Sequence, residues 1–115
     1  RLDALEAGVR ALEIAELQSL AETERSGSPG AGSSTLELKG TELSQAITEI
    51  AVEAAGWHGA VYQPEATRAG SNVAPVGPAG AVTAMPFYLN NRAATIYAGS
   101  SEVQRNIIAK AVLGL

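Results

Sequence analysis

The sequence predicts an all-α fold, an antiparallel helical bundle or part of one. Apolar residues make up 46% of the 115-residue chain and aromatic residues only 4%, a composition typical of packed helices. Apolar side chains recur every three or four positions in several segments, whereas no segment has the strict alternation of a half-buried strand. Ser and Gly residues lie where these segments begin and end, as expected for helix caps.

The first predicted helix runs from Arg1 to about Arg25. Its apolar residues form two stripes around the helix axis, which predicts that the helix is covered on more than one side, as in a bundle. The two stripes are Leu2, Leu5, Val9 and Leu12, and Ile14, Leu17, Leu20 and Ala21. The stretch RSGSPGAGSS then predicts a surface loop, because small polar residues, Gly and Pro do not favour a continued helix.

The second predicted helix begins near Ser33 or Ser34. Ser34 followed by Glu37 fits a capping box, in which the hydroxyl and the carboxylate each satisfy a backbone N–H. Gly40 lies inside the pattern and weakens the helix by about 1 kcal/mol relative to Ala. Gly56 is predicted to cap the C-terminus. The apolar stripe consists of Leu43, Ala46, Ile47, Ile50, Ala51 and Ala54.

A Gly- and Pro-rich segment at about 57–85 has no sustained period and predicts a long loop. Pro86 is predicted to occupy the first turn of a third helix, which Gly99 ends. Ser101 with Gln104 is predicted to cap a fourth helix. Its apolar stripe consists of Val103, Ile107, Ala111 and Leu115.

Charge and residue content exclude several classes of protein. The net charge of −4 argues against nucleic-acid binding, which needs a basic patch. The chain has no cysteine, and no apolar run is long enough to span a membrane. No signal peptide is visible, so we expect a cytoplasmic location. The chain begins within a helical pattern, so we interpret residues 1–115 as one helical domain of a longer protein.

Few residues have the types and spacing that catalysis needs. His58 is the only histidine, and its position beside Trp57 favours a surface or packing role. Glu42, Glu49 and Glu53 recur along one helix, and we interpret them as a solvated acidic face. No His, Asp and Glu cluster has the spacing of metal ligands, so we expect no metal site.

The segment Tyr97–Glu102 breaks one helix and starts another. Ala98 and Gly99 have almost no side chain, so another group could approach the backbone closely. Ser100 and Ser101 offer hydroxyls, and the N-terminus of the next helix offers N–H groups to a polar or anionic ligand. The residues alone leave two interpretations open, a ligand site and a plain capped turn.

The stretch NNRAATIYAGSSEVQRNIIAKAVLGL resembles the C-terminal end of flavin-dependent acyl-CoA dehydrogenases. In that family a Y-[EGA]-G-[TS]-x-[EQ]-x-x-R turn joins two helices, and the last helix often finishes LGL. The stretch LELKGTELSQAITEIAVEAAG also resembles the preceding helix of many bacterial members. The matching residues of the turn and the last helix are Tyr97, Ala98, Gly99, Ser100, Glu102, Gln104, Arg105 and Leu113 to Leu115.

The resemblance implies that the chain is most of a C-terminal four-helix bundle, without its opening helix and the two domains that precede it. It implies FAD at a subunit interface and α,β-desaturation of an acyl-CoA thioester. In that reaction a carboxylate removes the α-proton while the β-hydrogen leaves as hydride to the flavin. It also implies an oligomer, either a homo-oligomeric dimer or tetramer or an assembly with a heteromeric partner subunit.

The resemblance assigns substrate contacts to Ala98 and Gly99. It assigns FAD contacts to Ser100, Ser101, Glu102, Glu53 and Gly56. Glu53 and Gly56 occupy the first and fourth positions of a Q-x-x-G-G segment of the family, whose backbone approaches the FAD of a neighbouring subunit. Trp57 replaces the second glycine of that segment.

The position of Ala98 is a departure, because many family members carry the catalytic glutamate there and a methyl group accepts no proton. Three interpretations follow: a base on an earlier helix outside this chain, a base-less subunit of a heteromeric enzyme, or a non-dehydrogenating homologue. We prefer the first. We expect the fragment alone to be inactive. Two further alternatives are an acyl-CoA oxidase and a helical oligomerisation module without a flavin role.

Overall fold

A computed structural model describes residues 1–97 and 99–114 of the chain. All regular structure in these residues is helical, which confirms the predicted all-α class. The α-helices are α1 (Leu2–Ser26), α2 (Gly32–Ala55), α3 (Ala81–Asn91) and α4 (Ser101–Ile108). Short 3₁₀ segments, Gly56–Ala60 and Arg92–Thr95, follow α2 and α3, and a π-helical turn, Ala109–Leu113, follows α4.

The chain divides into two compact units. The first unit contains Arg1–Ser44 together with the described residues from Ala93 onward. The second unit is Gln45–Arg92.

Helix α1 of the first unit forms as the sequence predicts. It ends at Ser26, and Gly27 caps it in the left-handed conformation (φ 73°) with its N–H donating to the Thr23 carbonyl at 2.8 Å. Half-buried residues recur along one face at spacings of three and four: Leu5, Gly8, Leu12, Ala15, Ser19 and Thr23. The second predicted stripe is exposed in this chain, including Ile14, Leu17 and Leu20.

The half-buried face of α1 packs antiparallel against the first half of α2. The Leu43 side chain covers Gly8, where an added Cβ would lie 2.7 Å from Leu43 Cδ2. Leu12 Cδ2 lies 3.8 Å from the corresponding position at Gly40, so this glycine is tolerated inside a continuous helix. Ser19 lies beside Gly32 in the same way. Residue numbers rise along α1 as they fall along α2, as in an antiparallel hairpin.

The predicted start of α2 is wrong by one to two residues. The helix begins at Gly32, and the Thr35 N–H already donates to the Ala31 carbonyl at 3.1 Å. Ser34 is therefore a buried residue inside the first turn. A capping box with Glu37 needs Ser34 before the helix, so that prediction is wrong as well.

In the second unit, the predicted cap of α2 is confirmed, because the helix ends at Ala55 and Gly56 has a φ of 53°. Helical turns reach into the predicted loop from both ends, through Gly56–Ala60 and through α3. Helix α3 begins at Ala81 because its first turn is apolar and buried, at Ala81, Val82 and Ala84. Pro86 therefore lies inside α3, not in its first turn as predicted, and no proline N–H reaches the Val82 carbonyl.

The irregular segment between Ala60 and Ala81 is held by a side-chain amide. Gln63 Oε1 accepts from the Val76 N–H at 2.6 Å, and Gln63 Nε2 donates to the Val76 carbonyl at 3.3 Å. Gly77 next to it has a φ of 85°, and the His58 ring fills the space where a Cβ would lie. His58 thus has a packing role in the described structure, as the sequence favoured.

Candidate functional site

The turn between α3 and α4, together with the first residues of α4, contains most of the residues that the sequence singles out. Helix α3 ends at Asn91, earlier than the predicted stop at Gly99. After the 3₁₀ segment, the N–H groups of Ile96 and Tyr97 both donate to the Ala93 carbonyl, at 2.9 and 3.3 Å. Gly99 then has a φ of 102°, which side chains with a Cβ rarely adopt.

Ala98, the predicted substrate contact and the position of the family's glutamate, lies outside the described residues. Gly99 is exposed. A Cβ on Gly99 would lie 2.7 Å from Gln104 Nε2, so the side-chain amide of Gln104 lies next to the Gly99 backbone. Leu115, the last residue of the predicted α4 stripe, is also outside the described residues, and Val103, Ile107 and Ala111 of that stripe are exposed.

Ser100, not Ser101, caps α4. The Ser100 Oγ accepts from the Val103 N–H at 3.4 Å, and the Ser100 carbonyl accepts from the Gln104 N–H at 3.0 Å. Ser101 is the first helical residue and is buried. The predicted cap is therefore one residue too late, because Ser100 has the extended backbone that a cap requires and Ser101 does not (Ser100 φ −61°, ψ 154°).

Glu102 is exposed in the first turn of α4. Its pKa is lowered from the ordinary value of 4.5, first by a hydrogen bond from its own backbone N–H and then by a hydrogen bond from the Ser100 hydroxyl. Desolvation opposes this shift, and Arg105 adds a small favourable charge interaction. Glu102 is therefore ionised at neutral pH, and its carboxylate lies where the positive end of the helix dipole favours an anion.

The other two predicted cofactor contacts belong to the second unit. Glu53 is exposed in the last turn of α2, and Gly56 follows the helix in a left-handed conformation. Trp57, which replaces the family's second glycine, is 93% exposed. The C-terminus of α2 therefore presents a carboxylate, a bare glycine and a large indole to solvent in this chain.

A polar cluster that sequence reasoning did not assign lies at the end of α3. Arg92 Nη2 donates to the Gln45 carbonyl at 3.1 Å, and Gln45 Nε2 donates to the Asn91 carbonyl at 3.1 Å and the Arg92 carbonyl at 3.4 Å. The Arg92 guanidinium also lies 4.3 Å from the centroid of the Tyr88 ring. The spacing of four between Tyr88 and Arg92 is a weak signal for this contact, and nothing in the sequence links Arg92 to Gln45.

A groove in the first unit has a volume of about 460 Å³ and is lined mainly by Gly, Ala and Leu residues of α1 and α2. It does not include the turn before α4. Within residues 1–97 and 99–114, no three His, Asp or Glu side chains come together as metal ligands could. None of the helices described has the length and apolarity required to cross a bilayer.

The fold and the turn define an all-helical domain with a glycine corner placed directly before a capped helix. Residues 1–113 match the family model of the acyl-CoA dehydrogenase C-terminal domain. The chain therefore belongs to the acyl-CoA dehydrogenase family, as the resemblance implied.

Two curated relatives match a 29-residue stretch at 71% identity. Both are called acyl-CoA dehydrogenase IpdE1, one from Mycolicibacterium smegmatis and one from Mycobacterium tuberculosis. The stretch is 25% of this chain but only 7% and 8% of those proteins. The matched region thus spans less than a tenth of the curated relatives. No solved structure matches the chain significantly.

Proposed function

We propose that this chain is the C-terminal helical domain, residues 1–115, of an FAD-dependent acyl-CoA dehydrogenase that introduces an α,β double bond into an acyl-CoA thioester. The observation that carries the proposal is the corner at Gly99. A residue without a side chain, at a φ of 102°, directly precedes a helix N-terminus that Ser100 caps. Such a corner exposes bare backbone to a flat ring, with the Ser100 hydroxyl and the Gln104 amide beside it.

The residues of the corner fit FAD and a thioester. Gly99 is exposed and bare, and Ser100 is partly exposed with its hydroxyl already oriented by the Val103 N–H. Ala98 and Gly99 are assigned to the thioester, and Ser100, Ser101 and Glu102 to the flavin. When bound, FAD accepts the hydride that leaves the β-carbon of the substrate. The chain's own contribution is to hold the two reacting groups in place and to keep bulk away from them.

The catalytic base is proposed to lie outside this chain. Ala98 carries no proton acceptor, and Glu102 is the acidic residue of the corner. A general base works best with a pKa near the operating pH and in a dry site, whereas Glu102 is exposed and its pKa is lowered. Glu102 is thus suited to a fixed polar contact. Removal of the substrate's α-proton is assigned to a carboxylate elsewhere in the whole protein.

Glu53 and Gly56 are assigned to the FAD of a neighbouring subunit, which makes the proposed enzyme an oligomer. The exposed apolar residues of α1, including Leu2, Leu17 and Leu20, favour a covered position for this helix in the whole protein. The same exposure, together with Ala98, supports two alternatives: a base-less subunit of a heteromeric dehydrogenase and a helical oligomerisation module.

The replacement Gly99→Leu in the whole protein tests the proposal. A bulky side chain should remove bound FAD, measured by visible flavin absorbance, while helix content measured by circular dichroism stays near that of the unaltered protein. Gly27→Leu is the matched control, because Gly27 also has a positive φ (73°) but no neighbour within 4 Å of an added Cβ.

Equal loss of FAD in the two variants would contradict a cofactor-facing role for Gly99. A colourless whole protein that still assembles would favour the oligomerisation module. A yellow protein that acyl-CoA reduces only after a second subunit is added would favour the base-less subunit.

A further inference from the structure

The turn that follows α2 exposes Trp57 while the two residues after it are packed. The Trp57 side chain is 93% exposed. The His58 ring lies against Gly77, where an added Cβ would come within 2.4 Å of His58 Cγ. Gly59 is buried, and a Cβ at that position would lie 3.2 Å from Ala55 Cβ. The turn is therefore held to the second unit through His58 and Gly59, and the indole stays outside this packing.

The backbone beside the indole is also open. Gly56 has a φ of 53°, and no atom lies within 4 Å of the position of an added Cβ. The Val61 N–H donates to the His58 carbonyl at 3.3 Å and closes the turn on its other side. A flat and accessible aromatic face on a fixed turn is suited to stack on a planar ring, as nucleic-acid bases stack on aromatic side chains.

The charge at this end of α2 selects among ligands that contain a ring. Glu53 is exposed in the last turn of the helix, and that turn has no basic residue. The C-terminus of a helix also carries the negative end of the helix dipole. A phosphate group is therefore disfavoured here, whereas hydroxyl and amino groups can donate hydrogen bonds to the carboxylate. These features suit a nucleoside, which has a planar base and ribose hydroxyls but no charge.

We propose that the end of α2 binds the adenosine half of FAD, with the Trp57 indole stacked on the adenine ring and the Glu53 carboxylate accepting hydrogen bonds from the ribose hydroxyls. This inference rests on the proposed function, which assigns Glu53 and Gly56 to the FAD of a neighbouring subunit. It names the part of FAD that these residues contact. The indole at position 57 then supplies a stacking surface where the family has a bare glycine.

The substrate contains a second adenosine, because CoA is itself an adenine nucleotide. The ribose of CoA carries a 3′-phosphate, which the Glu53 carboxylate repels, whereas the adenosine ribose of FAD has two free hydroxyls. The charge of Glu53 thus favours the adenosine of FAD over that of CoA.

The test compares FAD with FMN, which has the same flavin ring but no adenosine. The whole protein is stripped of flavin and titrated with each cofactor, and flavin fluorescence reports binding. Trp57→Ala should weaken FAD binding by about 5- to 150-fold, the range for the loss of one stacked base, and leave FMN binding unchanged. Trp57→Phe, which keeps an aromatic face, should lose less. Tyr62→Ala is the matched control, because Tyr62 is an aromatic residue of the same unit that is 89% exposed and has no assigned ligand.

The affinity of the FAD-loaded protein for CoA identifies which adenosine is bound, and we expect Trp57→Ala to leave it unchanged. Three results would overturn the inference: unchanged FAD affinity or equal weakening of FAD and FMN in Trp57→Ala, an equal loss of FAD affinity in Tyr62→Ala, or weaker binding of CoA in place of FAD. In each of these cases a bound flavin would still support the proposed function. A whole protein that binds neither flavin would refute the proposed function, and the inference with it.

Discussion

Each of the two units of this protein is stabilised by a different kind of internal contact. In the first unit, α1 and α2 pack through apolar and small side chains at regular helical spacing, with Leu43 over Gly8 and Leu12 beside Gly40. In the second unit, side-chain amides join distant pieces of backbone, as Gln63 does at Val76 and Gln45 does at Arg92. Regularly spaced side chains can pack together by complementary shape, whereas backbone groups of an irregular segment need specific hydrogen-bond partners.

The two kinds of contact also differ in tolerance. A flexible leucine over a glycine can move by a few tenths of an ångström, so small changes in the hairpin are absorbed. A hydrogen bond weakens steeply when its distance or angle changes, and an unpaired buried group then adds a further cost. Substitutions should therefore have larger effects in the second unit than in the first.

The largest effect is expected for Gly77→Ala in the second unit. Its positive φ alone costs an L-residue about 1–2 kcal/mol, and the collision with the His58 ring adds about 1–3 kcal/mol. Gly70 is the matched control, because its φ of 77° is similar but no atom lies within 4 Å of an added Cβ. Denaturant unfolding should give a clearly larger loss of stability for Gly77→Ala than for Gly70→Ala; equal losses would show that His58 does not pack against Gly77.

The next largest effect is expected for Gln63→Ala. The variant loses two hydrogen bonds to Val76, and each such bond contributes about 0.5–1.5 kcal/mol net. The free energy of opening measured by hydrogen exchange at the Val76 amide should fall at least as much as the free energy of global unfolding. Protection of Val76 at the level of the unaltered protein would mean that the loop is held by something other than this amide.

A smaller effect, of opposite sign, is expected in the hairpin. Gly40→Ala should stabilise the protein by about 0.5–1 kcal/mol, because alanine favours the helix interior and Leu12 lies at an ordinary contact distance of 3.8 Å. Gly8→Ala gains the same propensity but must displace Leu43. Thermal unfolding should therefore rank Gly40→Ala above Gly8→Ala, and the reverse order would contradict the antiparallel register.

The smallest effect is expected at the corner before α4, which uses polar contacts although it belongs to the first unit. Since the folded-state pKa of Glu102 lies below its ordinary value, its ionised form stabilises the fold above about pH 4.5, and this contribution is lost as the pH falls through the folded-state pKa. Ser100→Ala should raise the Glu102 pKa in an NMR titration more than Arg105→Gln does, because Arg105 is the weakest of the causes. A larger shift in Arg105→Gln would mean that the charge of Arg105 lowers the Glu102 pKa more than the Ser100 hydrogen bond does.

The predictions are confirmed where a local sequence pattern determines a local structure. The extent of α1 follows from its spacing of apolar residues, and the cap at Gly56 follows from the freedom of glycine at positive φ. The predictions are wrong where several neighbouring residues can fill the same structural role. Either serine of Ser100–Ser101 can cap a helix, and the backbone conformation, which the sequence does not display, selects Ser100.

Pro86 shows a different limit. Its rigid ring suits a first helical turn, but the apolar residues before it gain more by burial than the helix loses at one missing hydrogen bond. The Glu102 carboxylate and the glycine corner were visible in the sequence because they are contiguous. The pair of Gln45 and Arg92 was not, because its two members lie 47 positions apart in the chain.

The amino-acid sequence is sufficient to predict the helical class, the extent of α1, the cap of α2 at Gly56 and the family to which the corner belongs, since each depends on neighbours along the chain. Only the tertiary structure decided that His58 packs on Gly77, that α3 starts at Ala81 and that Gln45 meets Arg92. The physical reason is that burial and long-range hydrogen bonding depend on which surfaces meet, and no spacing within a single segment encodes that meeting.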